Sequence, residues 1–130
     1  MKKKFSIKWK SSKQPRKQRK YRYNAPLHIL HKLMASHLSK ELIKKYKKRS
    51  IVIRKGDKVK IVRGQFYGKT GKIERVDLKG QRVYVEGIQV VSKTGNKSFY
   101  PIHPSNLIIL ELNLSDKIRK AKLERVKNAS

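Results

Sequence analysis

The chain has 130 residues, and its 36 lysines and arginines against 8 acidic residues give a formal net charge of +28 at pH 7. Charged residues make up 34% and apolar residues 37% of the chain, so only one small core is expected. A cationic surplus this large requires a polyanion as partner. Nucleic acid is the first candidate, and an anionic membrane surface is the second. The complete lack of cysteine excludes disulfides, cysteine-ligated zinc and Fe–S clusters.

The first fifty residues form a basic arm, with 18 basic residues and a single acid, Glu41. From Lys2 to Arg22 basic residues recur at nearly every second position without apolar periodicity, which predicts a segment that is disordered until it binds its partner. Five cations of this arm are predicted to contact phosphates, with solvated charges as the alternative: Arg16, Lys17, Arg19, Lys20 and Arg22.

Aromatic residues are placed among these cations. Trp9, Tyr21 and Tyr23 are candidates for stacking on unpaired bases, and docking against the protein's own core is the alternative. The chain around the two tyrosines offers no apolar partners, which favours stacking on RNA.

The N-terminus lacks the apolar stretch of a signal peptide, and the longest aliphatic run, Leu107–Leu110, is far too short to span a bilayer, so a soluble intracellular protein is expected.

A short helix is predicted after Ser39, which is a suitable N-cap. Leu42, Ile43 and Tyr46 form an apolar stripe that is expected to dock on the β core. The histidines His28, His31 and His37 lie in one stretch of the arm, but with no cysteine and a single acid nearby they do not predict a metal site.

Residues 51–112 contain all seven glycines and most of the β-branched residues, which indicates a β-rich core. Strands are predicted over Asp57–Arg63, over Lys72–Asp77 with a bulge, over Arg82–Glu86 after a tight turn at Lys79-Gly80, in a hairpin around Thr94–Asn96, and over Leu107–Leu110. Five or six short strands predict a small barrel, because closure removes exposed sheet edges. Tyr84 and Tyr100 are expected in its core, and His103 is expected to pack in a turn.

The most specific feature is a glycine-rich loop between two strands. Gly64, Gly68 and Gly71 permit positive φ angles and close backbone approach, and the loop is expected to expose Gln65, Phe66, Tyr67 and Lys69 as a contact surface. A loop that only connects two strands is the alternative. Gly56 and Asp57 form a turn in which the carboxylate is expected to bind the local backbone.

The remaining acids are scattered, with no paired carboxylates, no phosphate-binding GxxxxGK[ST] motif and no Ser/His/Asp arrangement, so an enzyme is not predicted. Residues 113–130 form a basic tail. The segment from Ser115 to Lys127 is predicted to be a weak helix with a broken apolar face: Ile118, Ala121, Leu123 and Val126.

The segment from Arg54 to Ile73 resembles a KOW motif, the RNA-associated strand–loop–strand of SH3-like barrels, with Gly56, Asp57, Val59, Ile61, Gly64, Gly68, Gly71 and Ile73 at the expected places. The resemblance extends to Arg16–Lys20, Asn24–His28, Leu38–Tyr46, Arg49–Lys55 and Ile102–Leu107. From about Pro15 to Val126 the chain is similar to the ribosomal protein family numbered twenty-four in the universal scheme and twenty-six in the eukaryotic one, of the archaeal and eukaryotic cytosolic type.

This resemblance implies a small SH3-like barrel of five to six strands in residues 51–112, a partly helical arm in residues 1–50 that orders on RNA, and a helical tail in residues 113–130. It implies a structural protein of the large ribosomal subunit in the cytoplasm, bound to large-subunit rRNA near the nascent-chain exit tunnel and active in early assembly. Neighbouring ribosomal proteins and factors that meet the nascent chain are the further partners expected, without cofactor, small-molecule substrate or membrane. The expected RNA contacts are the five arm cations with Tyr21 and Tyr23, the loop residues Gln65, Phe66, Tyr67 and Lys69, and the flanking Lys55 and Arg63.

Two other functions remain open at the level of sequence. A KOW-type regulatory adaptor of transcription or translation would bind a protein machine and contact RNA only in passing, although the high charge argues against it. A cationic peripheral membrane protein is suggested by the basic amphipathic segment from Ser39 to Arg49, but its short apolar stripe predicts weak insertion.

Overall fold

The computed structural model describes residues 3–128; Met1 and Lys2 of the expected arm, and Ala129 and Ser130 of the expected tail, lie outside the described residues. Within that range the α-helices are α1 (Pro15–Asn24), α2 (Leu27–Leu33), α3 (Lys40–Tyr46) and α4 (Lys117–Asn128), and two short 3₁₀ helices cover Ile7–Ser11 and Pro104–Asn106. The strands are β1 (Ala35–Leu38), β2 (Ser50–Val52), β3 (Lys58–Ile61), β4 (Thr70–Asp77), β5 (Arg82–Val85), β6 (Gln89–Val91), β7 (Lys97–Phe99) and β8 (Leu107–Glu111).

Six strands form one mixed sheet in the order β2-β1-β8-β3-β4-β5, and β6 pairs with β7 in a separate hairpin. The β1–β8 pair is parallel and the other pairs are antiparallel. The expected strands and the three expected hairpins, β3–β4, β4–β5 and β6–β7, are confirmed. The bulge is confirmed as well, because the β4–β5 register shifts between Ile73 and Arg75.

The sheet begins earlier in the chain than expected. β1 lies within the segment that the sequence assigns to the arm, and β2 starts at Ser50, just before the expected boundary at Ile51. β1 pairs with β2 on one side and with β8 on the other, and Ser36 and Leu38 are its buried positions. The core cluster likewise includes Met34, just before β1, so the folded core extends into the segment that the sequence assigns to the arm.

The expected small β-rich domain is confirmed, while a closed barrel is not seen. In the described part of the chain β2 and β5 form the two ends of the sheet and do not pair with each other. The segment after β7 covers part of the β5 edge, because Val83 and Ile102 exchange backbone hydrogen bonds of 2.7 and 3.0 Å. Helices cover further apolar surface, since Tyr46 of α3 and Leu123 of α4 belong to the same buried cluster as the sheet.

The core is built from the alternating inward side chains of the strands, which include Val59 and Ile61 of β3. The N-cap of α3 is as predicted, since Ser39 Oγ accepts a hydrogen bond of 3.4 Å from the Leu42 backbone N–H. The docking of this helix is confirmed too, because Leu42 and Ile43 pack against the core cluster. The two tyrosines expected in the core differ from expectation: Tyr84 is half-buried below the Arg75 guanidinium, and Tyr100 is exposed.

The first part of the arm forms helices although its sequence has no apolar periodicity. α1 begins at Pro15, whose fixed φ angle and missing N–H suit the first turn of a helix. Arginine, lysine and glutamine, which make up most of this helix, have favourable helix propensities. These local preferences produce a helix even though the segment has no continuous apolar stripe.

The C-terminal tail forms the expected helix, α4, and two of its side chains anchor it. Arg119 and Leu123 lie four residues apart on one face, and both are buried. Leu123 joins the core, and the Arg119 guanidinium binds the carboxylate of Asp57 at 2.6 and 2.7 Å. Ile118, by contrast, is largely exposed. Arg119 and Leu123 thus contribute to the support that the broken apolar face requires.

Asp57 has the local contact expected of it and a larger role in addition. Its Oδ2 accepts from the Arg54 backbone N–H at 3.0 Å, as predicted. Its Oδ1 accepts from the Asn113 backbone N–H at 2.8 Å, and both oxygens bind Arg119. The carboxylate is therefore the buried point at which the turn before β3 joins the start of the tail.

Candidate RNA-binding surface

Helix α1 presents the predicted phosphate contacts to solvent. All five are exposed, and none of them forms an ion pair with a carboxylate within residues 3–128: Arg16, Lys17, Arg19, Lys20 and Arg22. Their charges are therefore not neutralised by the protein itself. With 8 acids against 36 basic residues, the chain could not neutralise most of its cations in any fold.

The two tyrosines of α1 have different environments. Tyr21 is only 7% exposed, and its ring centroid lies 5.0 Å from that of Phe5. This corrects the expectation that the surrounding chain offers Tyr21 no apolar partner, and its ring is occupied by internal packing. Tyr23 is 88% exposed, so its ring is available for stacking as predicted.

The N-terminal 3₁₀ helix packs beside α1 and places Trp9 against it. The Lys20 ammonium lies 5.6 Å from the centroid of the Trp9 ring, within the range of a cation–π contact. The Gln18 side chain donates a hydrogen bond of 3.0 Å to the Lys10 carbonyl and ties the two helices together. The arm is thus a small helical unit with its cations outside.

The glycine-rich loop between β3 and β4 folds tightly on itself. Gly64 and Gly68 adopt φ angles of +93° and +85°, which favour glycine, and the Gly68 N–H donates to the Ile61 carbonyl at 2.8 Å. Gly56 likewise has a φ angle of +93° in the turn before Asp57. The predicted use of positive φ angles is confirmed at Gly64 and Gly68, and the predicted turn at Gly56 uses one as well.

Gly71 shows only one of the two properties predicted for it. It lies in β4 opposite Val59 and is not among the glycines with a positive φ angle. A Cβ atom at this position would lie 2.7 Å from the Glu86 carbonyl oxygen and 2.9 Å from Val85 Cγ1. Close approach of neighbouring backbone, the second of the two predicted uses, therefore accounts for this glycine.

The loop tip divides into a buried and an exposed aromatic residue. Phe66 is 8% exposed, belongs to the core cluster and lies 5.1 Å from the Tyr100 ring, so the expectation that its position is better explained by a partner is corrected. Tyr67 is 72% exposed, and Gln65 beside it is exposed as well. The exposed Lys69 extends its ammonium over Phe66 at 5.1 Å from the ring centroid.

Most of the predicted contacts thus fall into two groups on the surface. The arm group lies on α1, and the loop group comprises Arg63, Gln65, Tyr67 and Lys69. The exposed Lys55 lies apart from the loop group, at the other end of β3, where its carbonyl accepts a hydrogen bond from Asn113 Nδ2. Among the described residues no hydrogen bond, ion pair or ring contact joins the two groups. Each presents cations beside an exposed tyrosine, a combination that suits phosphates and unpaired bases together.

His103 lies within electrostatic reach of two arginines, an arrangement that was not predicted. This residue caps the 3₁₀ helix at Pro104–Asn106, since its Nδ1 accepts from the Ser105 backbone N–H at 3.2 Å. Partial burial of the imidazole, followed by the positive charges of Arg82 and Arg22, lowers the pKa of His103 from its ordinary value of 6.5. Arg22 of the arm therefore acts on the folded domain, which no local sequence signal could have indicated.

Residues 3–128 contain no group of three or more histidine or acidic side chains that could hold a metal ion. In the same range no helix combines the length and the apolar character that crossing a bilayer requires.

Comparison with known proteins identifies the family. The family model of ribosomal proteins described as L26 in eukaryotes, together with their archaeal L24 counterparts, matches residues 12–126. The large ribosomal subunit protein uL24 of Methanosphaera stadtmanae is 52% identical over 114 residues, which cover 88% of this chain and 97% of that protein. The matched region includes α1, the whole sheet and most of α4. The chain therefore belongs to the ribosomal protein family of eukaryotic L26 and archaeal L24.

Proposed function

We propose that this protein is a structural constituent of the large subunit of the cytoplasmic ribosome and binds large-subunit rRNA through the arm group and the loop group. The observation that carries the proposal is the uncompensated charge of +28, of which the exposed cations of α1 are a concentrated part. Family membership supports the assignment to the ribosome. The family resemblance further suggests a position near the nascent-chain exit tunnel and a role in early subunit assembly.

The physical basis is the release of counterions from RNA when cations bind its phosphates. If the protein neutralises about 6 to 10 phosphates, its affinity should fall by about 10³ to 10⁵ between about 50 and 200 mM salt. The helical arm suits this task, because a narrow charged element can enter the space between crowded RNA helices. The folded domain supplies the anchor on which the arm is held.

The test measures binding of the full chain to large-subunit rRNA transcripts over a series of salt concentrations. A triple variant of the arm, with Arg16, Arg19 and Arg22 each replaced by Gln, is compared with a triple variant of α4, with Lys117, Lys120 and Lys122 each replaced by Gln. All six side chains are exposed, and both variants lose three charges. The arm variant should bind more weakly than the α4 variant and show a shallower salt dependence. Equal losses would contradict the role of the arm.

Cosedimentation with large subunits separates this function from that of a regulatory adaptor. A structural constituent remains at one copy per subunit at moderate salt. An adaptor would be released into the soluble fraction, and its stoichiometry would vary between preparations. Release of this kind would overturn the proposal and favour the adaptor.

A further inference from the structure

An open cleft of about 530 Å³ lies between the N-terminal 3₁₀ helix and α1. Its lining combines three ammonium groups, two hydroxyl groups and one indole ring, and it contains no carboxylate: Lys8, Trp9, Ser11, Ser12, Lys17 and Lys20. The positive charge inside the cleft is therefore uncompensated. Its size is within the range of pockets that hold small molecules, which is about 300 to 1,000 Å³.

Hydrogen bonds to the backbone hold the cleft in shape. The Ser12 N–H donates to the Trp9 carbonyl at 3.2 Å and closes the 3₁₀ helix. Gln18 of α1 donates to the carbonyls of Lys10 and Ser12, at 3.0 and 2.5 Å, and fixes the turn between the two helices. Lys17 and Lys20 lie three residues apart and share one face of α1. The cleft is therefore held by contacts within the arm itself.

Trp9 differs from the other arm aromatics in what surrounds it. The rings of Phe5 and Tyr21 pack on each other, whereas Trp9 has no aromatic neighbour in residues 3–128 and stays half-buried. Its ring contact is with the ammonium of Lys20. The indole ring of Trp9 lies among three cations, and part of its surface is open. A ligand with a planar ring and an attached negative charge could therefore stack on it.

We propose that this cleft holds one unpaired nucleotide of an RNA strand, with the base stacked on Trp9 and the adjacent phosphates paired with Lys8, Lys17 and Lys20. The proposal rests on the proposed RNA-binding function and names the form of RNA that the arm takes. An acidic peptide could satisfy the lysines but would leave the indole without a planar partner. Duplex RNA keeps its bases stacked inside the helix, so it could offer only phosphates.

The first test uses the intrinsic fluorescence of Trp9, which is the sole tryptophan of the chain. The full chain is titrated at low salt with a single-stranded oligoadenylate, an RNA duplex of the same length, inorganic polyphosphate and oligoglutamate. We expect saturable quenching by the single strand that exceeds the quenching by each of the other three ligands. Equal quenching by polyphosphate would reduce the cleft to a phosphate site, equal quenching by oligoglutamate would indicate a peptide site, and equal quenching by the duplex would remove the requirement for an unpaired base. Each of these results overturns the proposal, as does no quenching by the single strand.

The second test measures the affinity of variants for a labelled single strand. Trp9→Leu should weaken binding by at least about fivefold, the lower end of the loss for one stacked base, while Trp9→Phe should retain most of the affinity. Lys17→Gln should weaken binding more than Lys13→Gln, a matched loss of charge from a residue of the same segment that does not line the cleft. Circular dichroism confirms that the helices persist in each variant. Equal affinities of the Leu and Phe variants would overturn the stacking.

The two proposals fail in distinguishable ways. If the full chain binds large-subunit rRNA with the expected salt dependence while Trp9 fluorescence and the Trp9→Leu variant are unaffected, the nucleotide cleft is wrong and the proposed function stands. If binding to rRNA is itself absent, the proposed function is wrong, whatever the fluorescence shows.

Discussion

The guanidinium of Arg119 binds the carboxylate of Asp57 in a buried bidentate pair, with distances of 2.7 Å from Nη1 to Oδ1 and 2.6 Å from Nη2 to Oδ2. Both side chains are almost fully shielded from solvent. The same guanidinium also donates to the carbonyls of Asn113 and Val52, at 2.9 and 3.1 Å. One arginine of the tail therefore joins the turn before β3, the end of β2 and the segment that leads into α4.

Removal of either charge should destabilise the protein strongly. Asp57→Asn or Arg119→Leu leaves the other group buried without its counter-charge, and the loss of one partner of a buried pair typically costs about 3 to 5 kcal/mol. Urea unfolding followed by circular dichroism measures the free energy of unfolding. Arg54→Leu is the control, because its pair with Asp116 is partly exposed and should contribute less than about 1 kcal/mol. Similar losses in the free energy of unfolding for Arg54→Leu and Arg119→Leu would show that burial does not determine how much the Asp57–Arg119 pair stabilises the protein.

The loop tip should separate stability from RNA binding at adjacent positions. Phe66→Ala removes a core ring and should cost about 3 kcal/mol or more of the free energy of unfolding. Tyr67→Ala removes a ring that is 72% exposed and should change stability by less than about 0.5 kcal/mol. The same Tyr67→Ala variant should bind rRNA at least about fivefold more weakly if the ring stacks on a base. Unchanged affinity would assign the loop a connecting role or a protein partner.

Gly71 should not tolerate a side chain. A Cβ 2.7 Å from the Glu86 carbonyl forces the backbone of β4 or its neighbour to move, so Gly71→Ala should cost about 1 to 3 kcal/mol, as overpacking does elsewhere. Thermal unfolding provides the measurement, and Lys72→Ala at the next, exposed position of β4 is the control. A melting temperature equal to that of wild type would mean that the strands separate here without cost.

The native state should lose stability when the pH falls below neutrality, in part through His103. Because the native pKa is lowered, the unfolded chain binds a proton at about pH 6.5 while the folded chain does not, so protonation favours the unfolded state. The stability that His103 contributes is fully present above the pKa of the unfolded state. It is lost as the pH falls toward the lower pKa of the native state. His103→Gln should remove this part of the pH dependence in thermal unfolding measured from pH 7.5 downwards.

An NMR titration of the His103 ring tests the cause directly. Arg82→Gln should raise the native pKa toward 6.5, since one of the two repelling charges is removed. Lys93→Gln removes a charge that is not among those acting on His103 and should leave the titration unchanged. An equal response to both substitutions would indicate general charge repulsion in place of the local effect of the two arginines.

Most strands of the domain follow from local patterns in the sequence. The alternation in β3, the glycine turns of the two hairpins and the aliphatic run of β8 are signals that extend over a few residues, and all four were confirmed. β1 has no such signal. Its four residues lie between two helices, and it pairs with β2 on the far side of α3 and with β8 far along the chain. Parallel pairing over this separation leaves no local trace.

The exposure of the charged side chains on the candidate surface was predictable from the sequence, whereas the exposure of the aromatic rings was less so. Lysine and arginine side chains are exposed almost wherever the backbone places them, so the arm cations were assigned correctly to the surface. Tyr21 and Phe66 are buried, and their ring partners, Phe5 and Tyr100, lie at positions that proximity in sequence does not reveal. The burial of Arg119 had a weak signal, its spacing of four residues from Leu123 on one face of the predicted helix.

The position of β8 in the sheet determines the order in which the molecule can be completed. This last strand of the chain lies between β1 and β3, so neither has its central neighbour until Glu111 has been synthesised, and Asp57 has no counter-ion until Arg119 follows. The cationic helix, in contrast, is complete once Asn24 has been made. During translation the cationic helix, which is expected to bind a polyanion, is thus present long before the sheet can be completed. Folding of the domain depends on contacts of high sequence separation that form only as synthesis ends.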